Sequence, residues 1–594
     1  MKRPLGSAFL KLLYFVRPFR STYMPAIFYS FLNKLFNLMP EILLATAVNT
    51  VVAKENSWLT NFGFHDLKVQ LLVLGLLMMI TYALESLFEY LSSTRWWNLA
   101  QLVQHTFRVQ AFERVQKSTL RSSLDQKTGN LLSILNDDIN QLERFLEEGI
   151  NNIIEIIGAT FFIGGVFFYL APKVGIGVIA PIPIIVLAIF LVRKKIGFYY
   201  FNVRKKAGNI GALLANSLLR LLTTKSFVAE EIEKQRLERV SLDYREANFE
   251  AIKWGAVLEP AIRFLVLFGL LVTLVYGGIL TIEEKLNVGI YSILMFLTPR
   301  LLTPFTDAAE IMVDFQKVIA STERLLDLFD LPVEQSPNTP IAVKGGITFA
   351  NVGFAYQDKT ATLRNVSFQI HPGEHVAFVG ATGVGKSTLL HLLLGFFFPD
   401  VGTILYDDKD MHHVSLPVLR RQIGVVSQET ILFEGTILEN ISYGYPEATR
   451  EQIVQAAKNA AAHDFIMQFP QGYDTVLEER GQYLSGGQRQ MLAIARAIVR
   501  EPSILILDEA TSAVDYATEA MLATTLREVS KRRTVVNITH KLSAAKLADR
   551  ICVLENGTVV EQGTHSELLT KEGVYARFWK LQGESFSITN VKKL

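Results

Sequence analysis

Cysteine is almost absent from this chain of 594 residues, which contains only Cys552. A single thiol excludes disulfides within the chain and argues against a cysteine-based metal site. Cys552 stands in RICVLENG, a stretch typical of a buried strand followed by a turn, so we expect its thiol to pack in a core. Net charge is also small, since 59 lysines and arginines balance 57 aspartates and glutamates to leave +2. This balance argues against a nucleic-acid-binding protein.

Charged residues are scarce, at 20% of the chain, whereas 50% of the residues are hydrophobic. The mean hydropathy is positive, at +0.26, which indicates a membrane protein, and the length exceeds that of one domain. The N-terminal stretch MKRPLGSAFLKLLYFVRPFR has basic residues on both sides of a short apolar run and no small-residue cleavage site. We therefore expect no cleavable signal peptide there, but an amphipathic helix on the cytoplasmic face of a membrane.

Six apolar stretches precede residue 320, and each can supply the roughly 20 residues that span a bilayer. They lie near 24–52, 69–93, 150–171, 175–192, 255–280 and 288–313. The segments 95–148 and 193–253 are rich in arginine and lysine, whereas the opposite connections carry only Lys54, Lys68, Lys173 and Lys285. The positive-inside rule then places both termini in the cytoplasm. We predict a polytopic α-helical membrane domain of six transmembrane helices over residues 1–330, with helical cytoplasmic extensions.

Several predicted spans contain ionisable residues, which are costly in lipid and should face a protein or aqueous interior. These are Lys34, Glu41, Glu85, Glu89, Glu155, Glu259, Arg263, Arg300, Asp307 and Glu310. They either line a translocation cavity or form structural ion pairs, and the sequence leaves both readings open. Arg300 and Glu259 are the first candidates for a cavity.

The second half has the composition of an α/β nucleotide-binding domain. A linker over 331–343, including SPNTPIAV, precedes short β-rich runs that alternate with helical ones. The run HVAFVG predicts a buried strand that enters GATGVGKST and then a helix, the context that a phosphate-binding loop requires. The predicted loop consists of Gly380, Ala381, Thr382, Gly383, Val384, Gly385, Lys386, Ser387 and Thr388. Its glycines let the backbone wrap the phosphates of ATP, Lys386 reaches the β and γ phosphates, and Ser387 binds Mg²⁺.

Two further strands are predicted to end in polar residues near the same phosphates. ILILDEA ends in Asp508, placed to hold Mg²⁺ through water, and in Glu509, placed to polarise the attacking water. VVNITH ends in His540, which could bind the γ phosphate. A second glycine-rich loop, LSGGQ, opens a helical run, and a helix N-terminus is itself an anion site. One chain thus carries two candidate phosphate-binding loops.

The motif order GATGVGKST, SQE, LSGGQ, ILILDE, SAVD and TH resembles the ATP-binding cassette superfamily over about 345–580, and LSGGQ is the most specific of these motifs. The resemblance implies a cassette over 344–582, followed by a tail over 583–594. It also implies that Tyr356 stacks on adenine, that Gln428 contacts Mg²⁺ and the attacking water, and that Asp515 lies at a subunit interface. Glu478 and Glu479 resemble the loop that contacts membrane helices.

The same resemblance explains the two loops, because cassettes of this superfamily pair head to tail. Ser485, Gly486, Gly487 and Gln488 would then close on a nucleotide held by a second copy of the chain. All motifs are intact, which favours a homodimer. Six spans followed by a cassette resemble MsbA-like and P-glycoprotein-like exporters of the type IV fold. Segments near 119–127 and 211–231 resemble the regions of their two coupling helices, and 428–441 resembles the cassette surface that receives them.

The implied function is ATP-driven export or flipping of a lipophilic or amphipathic substrate, such as a lipid, drug or peptide, by alternating access. Such a protein would have membrane lipids and its substrate as partners and no nucleic acid, and we expect it in a bacterial inner membrane. An exporter-shaped importer of siderophores and an ATP-gated channel remain the alternatives. The six spans exclude a soluble cassette ATPase of DNA repair or translation.

Overall fold

The computed structural model describes residues 11–12, 14–52, 58–126, 128–305, 308–337, 339–356, 361–478, 481, 483–510, 516–531 and 533–591. These residues divide into two compact units. The first comprises Met1–Ser118 and Gln126–Pro332, and the second comprises Thr119–Asp125 and Val333–Leu594.

The described residues before 332 form helices and no strands. In chain order the helices are α1 (Arg20–Val52), α2 (Leu67–Lys117), α3 (Leu120–Asp125), α4 (Thr128–Ser133), α5 (Ile139–Arg144), α6 (Ile150–Leu170), α7 (Pro172–Ile179), α8 (Pro181–Leu219), α9 (Leu221–Ser226), α10 (Glu230–Leu271), α11 (Gly278–Ile282), α12 (Val288–Leu302) and α13 (Ala308–Phe329). Wider π-type turns occur over Ile134–Asp138, Phe145–Gly149 and Val272–Gly277. Helix α3 groups with the second unit, where Leu120 packs against a buried apolar cluster. This helix coincides with the first predicted coupling segment.

Five helical stretches among the described residues are long and apolar enough to cross a membrane. They are Tyr14–Val52, Leu67–Lys117, Gly129–Leu170, Pro260–Ile282 and Val288–Phe305. The remaining predicted span, 175–192, overlaps a shorter apolar stretch, Pro172–Ala188. Pro172 and Pro181 each stand at the first turn of a helix, where a missing N–H costs no intrahelical bond. The side chains at 189, 190 and 192 of this predicted span lie outside the described residues.

Helix α1 carries a row of polar residues that contact three other helices; we call Lys34, Asn37 and Glu41 the polar row. Their spacing places them near one face of α1. Lys34 Nζ lies 2.7 Å from Glu155 Oε1 on α6, and Arg300 Nε on α12 donates to Glu41 Oε1 at 2.9 Å.

The third residue of the row, Asn37, donates through Nδ2 to Glu85 Oε1 on α2. These contacts favour the structural reading for these ionisable residues, although the side chain of Arg300 is still 43% exposed. The side chains of Glu259, Asp307 and Glu310, which the sequence also singled out, lie outside the described residues.

The Lys34–Glu155 pair gives the first prediction. Lys34→Met should lower stability by roughly 1–3 kcal/mol, because it leaves the Glu155 carboxylate unpaired in an apolar helix bundle. The double variant Lys34→Met/Glu155→Gln should recover most of that loss. Thermal unfolding in detergent micelles measures both, with Lys206→Met as the control because it breaks an exposed pair with Asp243. A double variant no more stable than Lys34→Met would contradict the pairing.

The second unit contains all the described strands. They are β1 (Ile347–Phe354), β2 (Leu363–Ile370), β3 (His375–Val379), β4 (Val401–Tyr406), β5 (Lys409–Asp410), β6 (Ile423–Val426), β7 (Gly435–Thr436), β8 (Val476–Leu477), β9 (Ile504–Asp508), β10 (Thr534–Ile538), β11 (Arg550–Glu555) and β12 (Thr558–Gly563). Its helices after α3 are α14 (Lys386–Leu393), α15 (Leu416–Arg421), α16 (Ile437–Ser442), α17 (Arg450–Asn459), α18 (His463–Ile466), α19 (Gly486–Ile498), α20 (Tyr516–Ser530), α21 (Leu542–Ala545), α22 (His565–Thr570) and α23 (Val574–Val591).

The strands form a six-stranded sheet in the order β12-β11-β3-β10-β9-β6, a four-stranded sheet in the order β2-β1-β4-β5, and the pair β7-β8. In the larger sheet β11, β3, β10, β9 and β6 are parallel, and β12 is an antiparallel edge strand. Apolar residues of the two sheets share one buried cluster, in which Phe349 and Phe368 stack at 4.4 Å. Cys552 on β11 is fully buried there, and burial raises the pKa of its thiol to about 12.

Parallel register brings four strand ends to one edge of the larger sheet. In register, Ile538 of β10 lies opposite Phe378 of β3 on one side and Asp508 of β9 on the other. Strand β6 is the next neighbour of β9, with Val426 opposite Leu507. The residues that follow these four strands therefore meet at the carboxyl edge, where open α/β sheets bind ligands.

Candidate nucleotide site

The predicted phosphate loop runs from β3 into α14. Gly383 and Gly385 have φ of +82° and +110°, a region that residues with a side chain rarely adopt. A Cβ on Gly385 would also lie 2.7 Å from Leu363 Cδ2. Gly385 is the N-cap of α14, so the loop presents the first free N–H groups of this helix to the cavity. Glycine at these positions allows the backbone to fold into an anion-binding loop.

Lys386 lies at the start of α14 and is buried. Its ammonium donates to the carbonyl oxygens of Gly380 at 2.7 Å and Ala381 at 3.0 Å, within the same loop. Burial lowers the pKa of Lys386, while Glu509 and Asp508 act in the opposite direction. A poorly hydrated cation at this position gains most from the arrival of an anionic partner.

Two adjacent acids follow β9, and their environments differ. Asp508 ends the strand, and burial together with the neighbouring Glu509 raises its pKa, against the opposing effect of Lys386. Glu509 has φ of +49°, although it is not a glycine. Its backbone N–H donates to Ile538 O of β10 at 2.8 Å, which holds the strained conformation in place.

The Glu509 carboxylate is held on both oxygens by the two other predicted catalytic residues. Gln428 Nε2 donates to Glu509 Oε2 at 2.8 Å, and His540 Nδ1 lies 2.9 Å from Glu509 Oε1. The Gln428 side chain and the His540 ring are solvent-accessible, whereas the side chain of Glu509 is only 16% exposed. The structure therefore brings Gln428, Glu509 and His540 together from the ends of β6, β9 and β10.

These residues surround a cavity of about 610 Å³. Its lining includes Gln428, Glu509 and His540. It also includes eight of the nine predicted phosphate-loop residues: Gly380, Ala381, Thr382, Gly383, Gly385, Lys386, Ser387 and Thr388. The lining also contains residues that the sequence did not single out: Thr362, Val379, Leu542, Phe578, Leu581 and Gln582. Three of these come from the last helix, α23, which has no phosphate-binding motif to signal its role.

Tyr356, which the resemblance assigns to adenine stacking, lies beside the loop. Its hydroxyl accepts a hydrogen bond from Thr388 Oγ1 at 3.3 Å. Its ring packs nearly perpendicular to the rings of Phe354 and Phe397, at 5.0 and 5.4 Å. The described lining of the cavity does not include Tyr356. Adenine stacking by Tyr356 therefore stays a prediction.

The oxygen donors beside the phosphate loop show whether this site could bind Mg²⁺. Among the described residues no group of three or more His, Cys, Asp or Glu side chains could hold a metal ion unaided. Mg²⁺ prefers oxygen ligands, keeps several waters, and is commonly bound by one or two protein groups together with substrate phosphates. The hydroxyl of Ser387, the amide oxygen of Gln428 and the carboxylate of Asp508 fit that pattern beside the phosphate loop.

The signature loop LSGGQ opens α19 at a different place in the second unit. Ser485 is the N-cap of α19, and its Oγ accepts the backbone N–H of Gln488 at 3.1 Å. The Gln488 side chain in turn accepts the N–H of Ser485 at 2.9 Å, which completes a capping box. Ser485 is exposed, and its hydroxyl proton is not used by the box. Together with the first N–H groups of α19, around Gly486 and Gly487, this end of the helix can bind an anion.

Two other residues named by the resemblance, Asp515 and Glu479, lie outside the described residues. Glu478 is described and exposed, and its carbonyl oxygen accepts the N–H of Gly481 at 2.9 Å.

Two family models match the chain. Residues 24–305 match the family model described as "ABC transporter transmembrane region", and residues 363–512 match the model "ABC transporter". The chain is 36% identical to the Bacillus subtilis (strain 168) "Uncharacterized ABC transporter ATP-binding protein YknU" over 81% of this chain and 83% of that protein. It is 33% identical to the "ATP-dependent lipid A-core flippase" of Syntrophus aciditrophicus (strain SB), over 82% and 81%.

Among solved structures, a bacterial Atm1-family ABC exporter with ATP bound superposes with a TM-score of 0.83 at 29% identity. The match covers 95% of this chain and 98% of that one. The resemblance seen in the motifs is thus confirmed over both units.

The position of Glu509 yields the second prediction. Glu509→Gln should lower kcat for ATP hydrolysis by about 100-fold or more, because an amide cannot accept the proton of the attacking water. ATP binding should persist, since the phosphate loop is unchanged. Phosphate release by the purified chain in lipid nanodiscs measures the rate. Glu501→Gln is the control, because Glu501 is an exposed glutamate with a similar backbone φ of +52°. Equal rates for Glu509→Gln and Glu501→Gln would contradict the assignment.

Proposed function

The chain belongs to the ABC transporter family as an exporter half-transporter with ATPase activity, and from that premise we propose that it flips or exports a lipophilic or amphipathic substrate. ATP hydrolysis is supported by one observation: the ends of β3, β10, β9 and β6 converge at one edge of the larger sheet. Each of these four neighbouring strands delivers a part of one nucleotide site: the phosphate loop, His540, the acids Asp508 and Glu509, and Gln428.

We propose a hydrolytic role for each part. The carboxylate of Glu509, oriented by Gln428 and His540, takes a proton from the water that attacks the γ phosphorus. The bond from this phosphorus to the β–γ bridging oxygen breaks, and ADP leaves. Lys386 leaves its two loop carbonyls to bind the β and γ phosphates of ATP. Mg²⁺, when bound, would neutralise part of the charge on those phosphates. Ser387, Gln428 and Asp508 are the residues that would hold it. His540, which is exposed toward the cavity, contacts the γ phosphate.

The partner in this proposal is a second copy of the chain. One chain has one phosphate loop and one signature loop, and the exposed Ser485 is free to serve the nucleotide of the partner. Large apolar side chains are exposed on both units, which supports association with a partner. They are Leu219, Leu222 and Phe227 in or beside helix α9 of the first unit, and Ile431 and Tyr443 of the second unit.

The membrane orientation follows from the charge bias. The basic residues of the segments 95–148 and 193–253 support a cytoplasmic location for the termini and the ATPase unit under the positive-inside rule. We propose the inner membrane of a bacterium as the location, with lipids of that membrane around the apolar helices.

The substrate class is tested by stimulation of ATP hydrolysis in nanodiscs of defined lipid. A lipid A-type glycolipid is the first probe, because one relative carries the name lipid A-core flippase. We expect its addition to raise the rate several-fold over nanodiscs of phospholipid alone, with Glu509→Gln as the blank. A rate that is unchanged by glycolipid but raised by an amphipathic drug or peptide would move the substrate out of the lipid class. Unchanged rates with all three probes would contradict the proposal.

The dimeric site gives the next prediction. Ser485→Ala should lower kcat by about tenfold or more, since the hydroxyl would bind the nucleotide held by the partner as well as cap its own helix. Thr449→Ala is a matched control, because Thr449 forms the same capping box with Gln452 at the start of α17. Both changes should cost about 1 kcal/mol of stability. Only Ser485→Ala should slow phosphate release. Equal kcat values for the two variants would contradict a role across the dimer.

A further inference from the structure

The last described helix, α23, supplies a wall of the nucleotide cavity. Phe578, Leu581 and Gln582 all line the cavity, and their spacing of three and four residues places them on one face of the helix. Gln582 makes two hydrogen bonds at the end of β10. Its Nε2 donates to the carbonyl oxygen of His540 at 2.8 Å, and its Oε1 accepts the backbone N–H of Leu542 at 3.1 Å.

These two bonds hold the backbone of the segment that carries the His540 ring. On its other side, this segment is fixed by Thr539, whose N–H donates to Phe378 O on β3 at 3.1 Å. Thr539 Oγ1 also accepts the N–H of Lys541 at 3.0 Å. The backbone around His540 is therefore held between the sheet on one side and the Gln582 amide on the other. Its ring then lies 2.9 Å from Glu509.

The N-terminal end of α23 is anchored by contacts with β12 and α22. Both carboxylate oxygens of Glu561 accept backbone N–H groups at the start of the helix, from Val574 at 2.6 Å and Tyr575 at 3.1 Å. The Tyr575 ring is fully buried, and its hydroxyl lies 2.8 Å from His565 Nδ1. Helix α23 is thus tied to β12 and α22 two turns before the residue that reaches the nucleotide site.

We propose that Gln582 is a positioning residue for ATP hydrolysis: it fixes the backbone of His540 so that the imidazole meets both Glu509 and the γ phosphate. The inference rests on the proposed function, because it assumes that His540 takes part in hydrolysis. The alternative is that the Gln582 amide serves only as a cap for the short helix α21, which begins at Leu542. Positioning of His540 uses Gln582 Nε2, whereas capping of α21 uses Gln582 Oε1. A variant that keeps only one of these two atoms therefore separates the two roles.

The test compares Gln582→Met and Gln582→Glu in the full-length chain in lipid nanodiscs. Gln582→Met removes both hydrogen bonds at nearly constant size. Gln582→Glu keeps an oxygen that accepts the N–H of Leu542 but loses the donor to the His540 carbonyl. Both variants should lower kcat by about tenfold while KM for ATP changes less than about twofold. Lys580→Met is the control, because Lys580 is an exposed residue on the same helix.

Dependence on His540 is measured in a His540→Ala background. There, Gln582→Met should change kcat less than about twofold, because the ring that it positions is gone. An equal loss in both backgrounds would overturn the proposal. So would a rise in KM alone, or a Gln582→Glu variant as active as the wild type, which is the result expected of a helix cap.

A second readout does not depend on activity. Hydrogen exchange of the backbone amides over residues 539–546 should be several-fold faster in Gln582→Met than in Lys580→Met. Unchanged exchange would overturn the proposal even if the wild-type chain hydrolysed ATP. Conversely, faster exchange in a chain that lacks ATPase activity would support the contact while contradicting the proposed function. The two failures are therefore distinguishable.

Discussion

The parallel register of β3, β10, β9 and β6 is the constraint on which the nucleotide site depends. A slip of one residue between β10 and β9 would separate Ile538 from Asp508 and turn alternate side chains to the other face of the sheet. The same slip would break the bond from the Glu509 N–H to Ile538 O. All four residues before Asp508 on β9 and all five of β10 are buried, so both faces of these two strands pack inside the domain. Packing of the sheet thus determines where the acid, the amide and the imidazole meet.

Strain and desolvation are concentrated at this edge. Glu509 adopts a left-handed backbone, which costs on the order of 1–3 kcal/mol for a residue with a side chain. Lys386 is buried against two loop carbonyls, and the pKa of Asp508 is raised by burial. The desolvation of Lys386 and Asp508 disfavours the isolated site and would be relieved by a ligand that brings negative charge to the lysine and a cation to the acid. Packing of the buried strands β9 and β10 offsets these costs and keeps the site residues in place.

Most of the predicted site residues lie in short contiguous motifs, which the structure brings to one edge of the larger sheet. The phosphate loop, Asp508, Glu509, Gln428 and His540 each lie at the end of a strand or within two residues of it, so they meet once the strands are parallel. Gln582 could not be found this way, because it contacts His540 across 42 positions without any motif of its own. The polar row shows the same limit, since Lys34 and Glu155 are far apart in the chain and only packing of α1 on α6 reveals the pair.

The burial of Cys552 has a practical consequence for studying motion in this protein. Its thiol is fully buried and is held protonated at ordinary pH, and a thiolate is the form that reacts with maleimide or methanethiosulfonate reagents. The natural chain is therefore close to a silent background for site-directed labelling. A spin label or fluorophore attached at a newly introduced, exposed cysteine would report from that position alone. Distances between labels on the two units could then be followed through a catalytic cycle without first replacing the native residue.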